Sequence, residues 1–209
     1  STRLLADAIL ETGRPIDFIC ASGVNYYGHR CGNGQTEESP AGEGFLASVC
    51  QDWEAAHRLL SDAGQRALSV RIGVVLDPKG GALKRLLPIF RCGLGGPAGS
   101  GRQLMSWIGL SDLVRIFSFL ITNREINGPV NAVSPTPVTN AEFASALGRV
   151  LGRLACLPAP GAMFRLIFGA MADETILSDI GAMPSVLNAA GFAWEDPEIE
   201  SVIRKNLFK

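Results

Sequence analysis

Residues 67–76 read Ala-Leu-Ser-Val-Arg-Ile-Gly-Val-Val-Leu, a nearly continuous apolar and β-branched run closed by Asp77-Pro78-Lys79-Gly80-Gly81. A strand that is apolar on both faces must be covered on both, which is the habit of parallel sheets flanked by helices. Arg71 interrupts the run, and a guanidinium in such a strand needs a partner. A second buried strand is expected at residues 16–21 and a short third at 130–133. Between them lie helical spacings. Residues 1–10 put Leu4, Leu5, Ala8 and Ile9 on one face, and Phe45, Val49, Trp53, Ala56 and Leu60 recur at helical intervals. Residues 82–90 form a short helix, and Ser111 is positioned to cap another at 113–121. Strand and helix in alternation predict an α/β fold with a doubly wound parallel sheet.

Residues 26–44 and 93–101 are rich in Gly and lack a period, so both are read as loops. After Pro135 the character changes. Thr139 and Glu142 make a capping box, and the rest of the chain reads as short helices broken by Pro158, Pro160, Pro184 and Gly191. The expected division is therefore a main domain at 1–135 and a small helical portion at 136–209. This second portion is expected to cap the substrate side, because Phe164, Leu166, Ile167 and Phe168 would form an apolar patch with no partner inside so small a unit.

Nineteen Lys and Arg against twenty Asp and Glu give a net charge of −1, and no basic run is interleaved with aromatics, which argues against nucleic acid as a partner. The most apolar stretch, 113–121, is far shorter than the roughly 20 residues a bilayer needs. No membrane association is expected. Five scattered cysteines and two histidines offer neither a disulfide framework nor metal-ligand spacing, so reduced thiols, a cytoplasmic setting and no metal are expected. The chain enters on Ser1 in what already reads as helix, so a preceding segment is expected.

Ser22 closes the first strand, where open α/β sheets bind their ligands. The surrounding Ala21-Ser22-Gly23-Val24-Asn25-Tyr26-Tyr27-Gly28 resembles the serine-bearing motif of extended short-chain dehydrogenase/reductases, in the form used by their sugar-nucleotide-epimerase-like family. Thr36-Glu37-Glu38-Ser39-Pro40, residues 71–76 with Gly80-Gly81, residues 94–108 with Gly101-Arg102-Gln103 and Ser106-Trp107-Ile108, and residues 138–143 resemble the same family in the same order. Met171-Ala172-Asp173-Glu174 and Ala189-Ala190-Gly191-Phe192 belong to its small C-terminal domain.

The resemblance implies an NAD(P)-binding Rossmann-type domain, incomplete at its N-terminus because no GxGxxG follows a strand, and a cofactor that is NADP or NAD. It implies Ser22, Gly73, Val74 and Val75 against the nicotinamide, and Arg102, Gln103 and Trp107 on the side of a small polar substrate, nucleotide-linked or not. In such enzymes a tyrosine and a lysine four residues on carry the proton. The resemblance sets Phe45 and Val49 in those places, and neither can transfer a proton. Ser22 and Tyr27 are left as the catalytic candidates. The alternative is a non-catalytic dinucleotide-binding protein that regulates or binds a partner. Oligomeric state is not legible.

Overall fold

The computed structural model describes residues 2–208, apart from the side chains of Ile167 and Phe168. The apolar patch expected at residues 164–168 thus falls partly outside the described residues; of the rest, Leu166 is exposed and Phe164 half-buried. In chain order the first half comprises α1 (Thr2–Glu11), β1 (Phe18–Gly23), a 3-10 turn (Val24–Tyr27), β2 (Arg30–Gln35), α2 (Phe45–Asp62), β3 (Ala67–Ile72), β4 (Val74–Leu76) and α3 (Gly81–Arg91). The second half comprises β5 (Leu104–Met105), β6 (Trp107–Gly109), α4 (Leu110–Thr122), β7 (Gly128–Ala132), β8 (Val138–Thr139), α5 (Asn140–Leu151), α6 (Gly161–Phe168), α7 (Met171–Glu174), β9 (Asp179–Ala182), α8 (Ser185–Ala189) and α9 (Ile199–Leu207).

The main sheet is parallel, in the order β1-β3-β7. Strand alternation divides β3 cleanly. Leu68 and Val70 point into a core with Ile116, Leu120 of α4 and Val130 of β7, while Ala67 packs with Ala56 and Leu60 of α2. Ser69 and Arg71 share that second side and meet polar residues of α2. The expected doubly covered parallel sheet is thus present, with β3 at its centre among the described residues.

The run 67–76 is two strands, not one. At Gly73 the chain leaves its pairing with β7 and takes up a new parallel pairing with β6, with Val74 N donating to Ser106 O at 2.8 Å. A Cβ at Gly73 would lie 2.7 Å from that carbonyl oxygen, so the crossing needs glycine.

Four further expectations are corrected. Residues 26–44 include the 3-10 turn and β2, which pairs in parallel with β9. The C-terminal portion is not wholly helical. β9 and β8 pair with β5, stitching residues 136–209 into the first part of the chain by backbone bonds that a hydrophobic pattern does not announce. Gly109, not Ser111, is the N-cap of α4. On α1, Ala6 is the buried residue and Leu4 and Leu5 are exposed, because the small side chain sits against Phe18 and Leu60. The capping box at Thr139 and Glu142 forms as expected.

Candidate functional site

The register of the main sheet sets Ser22 beside Arg71 and Arg71 beside Asn131, one polar row across the carboxyl ends of three strands. Around it close Tyr26 and Tyr27 from the 3-10 turn, Glu54 from α2 and Glu37 from the segment after β2. Arg71 donates through Nε to Glu54 Oε1 (2.9 Å), through Nη2 to Oε2 (2.8 Å) and through Nη1 to the Tyr27 hydroxyl (2.9 Å). Its guanidinium carbon also lies 3.5 Å from the Tyr26 ring centroid. Ser22 Oγ donates to Glu54 Oε1 (2.9 Å), and Tyr27 OH donates to Asn131 Oδ1 (2.7 Å). Glu37 accepts from the backbone N–H groups of Asn131, Ser185 and Val186, so it ties β7 to α8.

Ser22, Tyr27, Glu37, Glu54, Arg71 and Asn131 are each no more than 7 % exposed. Burial by itself would drive the Arg71 guanidinium towards losing its proton, but the hydrogen bond to Glu54 and the facing Tyr27 and Glu54 groups hold it firmly charged. Burial pushes the Tyr27 phenol up to about 12, only partly opposed by Arg71. Tyr27 is therefore a neutral hydrogen-bonding group near pH 7 and not a poised acid. One step down the strands, His57 Nδ1 meets Ser69 Oγ at 3.0 Å, and burial holds that imidazole below its usual range.

Glu54 and His57 lie on a face of α2 that the apolar spacing does not mark. The buried residues are Ala47, Cys50, Glu54, Ala56, His57 and Leu60, so Ala56 and Leu60 of the expected stripe face inward, while Phe45 is 63 % exposed and Trp53 also faces outward. The reason is the strand side chains opposite: Ser22, Ser69 and Arg71 offer hydrogen-bond partners to the polar groups of α2. Buried Cys50 stays a thiol, its acidity reduced by burial. At the head of α2, Glu174 accepts from the N–H groups of Phe45 (2.9 Å) and Leu46 (2.6 Å), and these bonds hold its carboxyl below the usual range. Glu174 closes the four-residue α7.

Val74 and Val75 are half-buried just beyond the carboxyl end of β3, where they pair with Trp107 and Ile108 of β6, while Gly23 at the end of β1 is in register with Ile72. The substrate-side candidates separate. Gln103 is half-buried and lines a polar cleft of about 410 Å³ with Arg30, Ser100, Arg165 and Asp173. Arg102 is exposed beside that cleft without lining it. Trp107 is 1 % exposed, packs with Leu76, Leu83 and Phe143 and donates Nε1–H to Thr136 O at 3.0 Å, so it belongs to the core behind the site. Arg30 and Glu54 carry no local motif; Arg71's need for a buried partner signals Glu54, and nothing in the sequence signals Arg30. Among the described residues, no group of three or more His, Cys, Asp or Glu is placed to hold a metal, and no helix is long and apolar enough to cross a membrane.

Comparison with known proteins decides the lineage. The mouse epimerase family protein SDR39U1 is 40% identical over 207 residues, covering 98% of this chain and 70% of the relative. This chain belongs to that epimerase family. It carries the extended short-chain dehydrogenase/reductase fold, and the crystal structure of human SDR39U1 (isoform 2) with NADPH superposes with a TM-score of 0.88 at 36% identity, over 98% of this chain and 70% of that one. The Mycobacterium bovis epimerase family protein Mb2239 is 46% identical over 191 residues, 91% of this chain, and the chain spans 63% of that relative's length. Residues 159–205 match a family described as a domain of unknown function, DUF1731. That family's residues include α6, α7 and β9, so in this epimerase-family chain they supply Arg165, Asp173 and Glu174 to the cleft and to the head of α2.

Proposed function

We propose that this chain forms the substrate side of an NADP- or NAD-dependent, epimerase-like or reductase-like protein acting on a small polar molecule. The observation that carries this reading is the polar row Ser22, Arg71 and Asn131 at aligned strand ends, in a chain whose relative SDR39U1 was crystallised with NADPH. The residues present fit the nicotinamide end of a dinucleotide. Gly23 and Ile72 set the ends of β1 and β3 side by side, next to a buried, hydrogen-bonded cation, at the carboxyl ends where open α/β sheets take a ligand. Bound there, a nicotinamide would supply hydride chemistry.

In this reading Ser22 and the backbone of Gly73, Val74 and Val75 hold the ring. Gln103 and Arg102 orient the substrate's polar end. Tyr27 keeps Arg71 in place, and Trp107 supports the strand beneath. A setting with five free thiols suits the cytoplasm.

A second reading follows from the resemblance, which sets exposed Phe45 and half-buried Val49 in the places of the family's tyrosine and lysine. A protein so built binds the dinucleotide and does not turn it over. Incubation with NADPH and a panel of carbonyls and sugar nucleotides, followed by nicotinamide absorbance, tests the first reading, which expects consumption. Binding without turnover, and turnover appearing only in Phe45→Tyr with Val49→Lys, would establish the second. Absence of any dinucleotide binding removes both.

A further inference from the structure

The 410 Å³ cleft between residues 99–103, β2 and the α6–α7 segment holds two guanidinium groups whose surroundings differ from those of Arg71. Arg30 has no hydrogen-bond or ion-pair partner among the described residues and stands at the start of β2, fixed by the Arg30–Asp179 register with β9. Arg165 grips Asp173 with one edge only, Nε to both carboxylate oxygens (3.1 and 3.0 Å) and Nη2 to Oδ1 (2.8 Å). Its Nη1 is left without a protein acceptor among the described residues, and lies 3.7 Å from where a Gly161 side chain would begin. Ser100 and Gln103 add neutral polar groups to the same wall, Gln103 being anchored by its Nε2–H to Ala98 O. Asp173 is committed to Arg165, so the lining carries one positive charge in excess, concentrated in planar donors suited to an oxyanion.

We propose that this cleft is an oxyanion subsite in which Arg30 and Arg165 together hold the phosphoryl or carboxylate group of a small molecule. The inference rests on reading the cleft as the substrate side and names the substrate class: a small metabolite with one terminal anionic group. The link to the strand-end site is structural. On α7, Asp173 lines the cleft while its neighbour Glu174 caps the helix that begins at Phe45, so one short helix joins the cleft to the head of α2. Asp173 tempers the site. It orients Arg165 and, by opposing its charge, keeps the anion exchangeable.

The test titrates the protein with inorganic phosphate and, separately, with acetate, following backbone amide shifts of residues 99–103 by NMR. Saturable binding of phosphate alone assigns a phosphoryl group, and comparable binding of acetate a carboxylate. Arg30→Gln and Arg165→Gln should each weaken binding about tenfold, the loss of one charge-assisted fork. Asp173→Asn should tighten it several-fold, because the amide still accepts from Arg165 while the opposing charge is gone. Unchanged unfolding midpoints in all three variants make these effects local. No saturable binding of either anion, undiminished binding in the Arg30→Gln/Arg165→Gln double variant, or weaker binding in Asp173→Asn would overturn the proposal. So would loss of phosphate binding on saturation with NADPH, which would assign the cleft to the dinucleotide's own phosphates. Phosphate binding in a protein that neither binds nor consumes NADPH would keep the subsite and refute the proposed reaction.

Discussion

Arg71 with Glu54 and Arg165 with Asp173 are both forked arginine–carboxylate pairs, and both close at 2.8 Å between Nη2 and oxygen. The first pair's side chains are 3 % and 6 % exposed, the second's 53 % and 27 %. In the first, every edge of the guanidinium is used, by Glu54, Tyr27 and the Tyr26 ring, and the group is locked between three strands, a turn and a helix. In the second, water screens the pair and one edge remains open. The same two side-chain types make a scaffold in one place and a recognition surface in the other, and the local dielectric decides which.

The sharpest way to break this comparison is to remove the carboxylate from each pair. Glu54→Ala leaves a buried guanidinium without its counter-ion and should cost about 3–5 kcal/mol of stability in denaturant unfolding. Asp173→Ala in the same assay should leave the midpoint unmoved. Equal effects would show that burial does not separate the two.

A second measurement sharpens the buried side. Tyr27 titrates at about 12 in the folded chain, above the ordinary phenol value of 10.0. Its folded value is raised, so the associated stability is complete below pH ~10 and is lost as pH climbs towards ~12, on the order of 2 kcal/mol. Tyr27→Phe should flatten that alkaline limb. An unchanged limb would mean that burial does not hold the phenol neutral.

The smallest effect concerns the bond between the two regions. Glu174 caps α2 from α7, with its carboxyl held low by the N–H groups of Leu46 and Phe45. A lowered folded value gives stability that is present above the unfolded value of ~4.3 and lost as pH falls. Glu174→Gln should cost about 1 kcal/mol or less at neutral pH, as for an exposed helix cap, and should shrink with acidification. A cost that stays constant down to pH ~3 would show packing rather than charge at this junction.

The extended apolar run over 67–76, though not its break at Gly73, the α2 and α5 helices and Ser22 at a strand end are legible because each rests on a short-range signal: apolar continuity, helical spacing, a capping box, a strand running into a turn. Arg71's demand for a partner is legible too, but not the partner's name. Glu54 is hidden because the apolar residues of α2 mark a face through Phe45 and Trp53, whereas the helix is rotated to bring carboxylate and imidazole onto polar strand residues. β2 and β9 are hidden because Gly-rich strands held by backbone bonds leave no side-chain pattern.

By itself, then, the sequence determined the covering of both faces of a parallel sheet, because burying so continuous an apolar run admits no other solution, and through its motifs it determined the lineage. The tertiary structure alone decided which residues became the site. Glu54 is 17 residues from Arg71, Tyr27 is 44 from it and Glu37 is 94 from Asn131, and Asp173 and Arg165 meet Arg30 only because β9 pairs with β2. A buried charge fixes that a partner must exist, since leaving it bare costs more than a domain can bear, but which distant residue serves is set by the register of strands and the rotation of a helix.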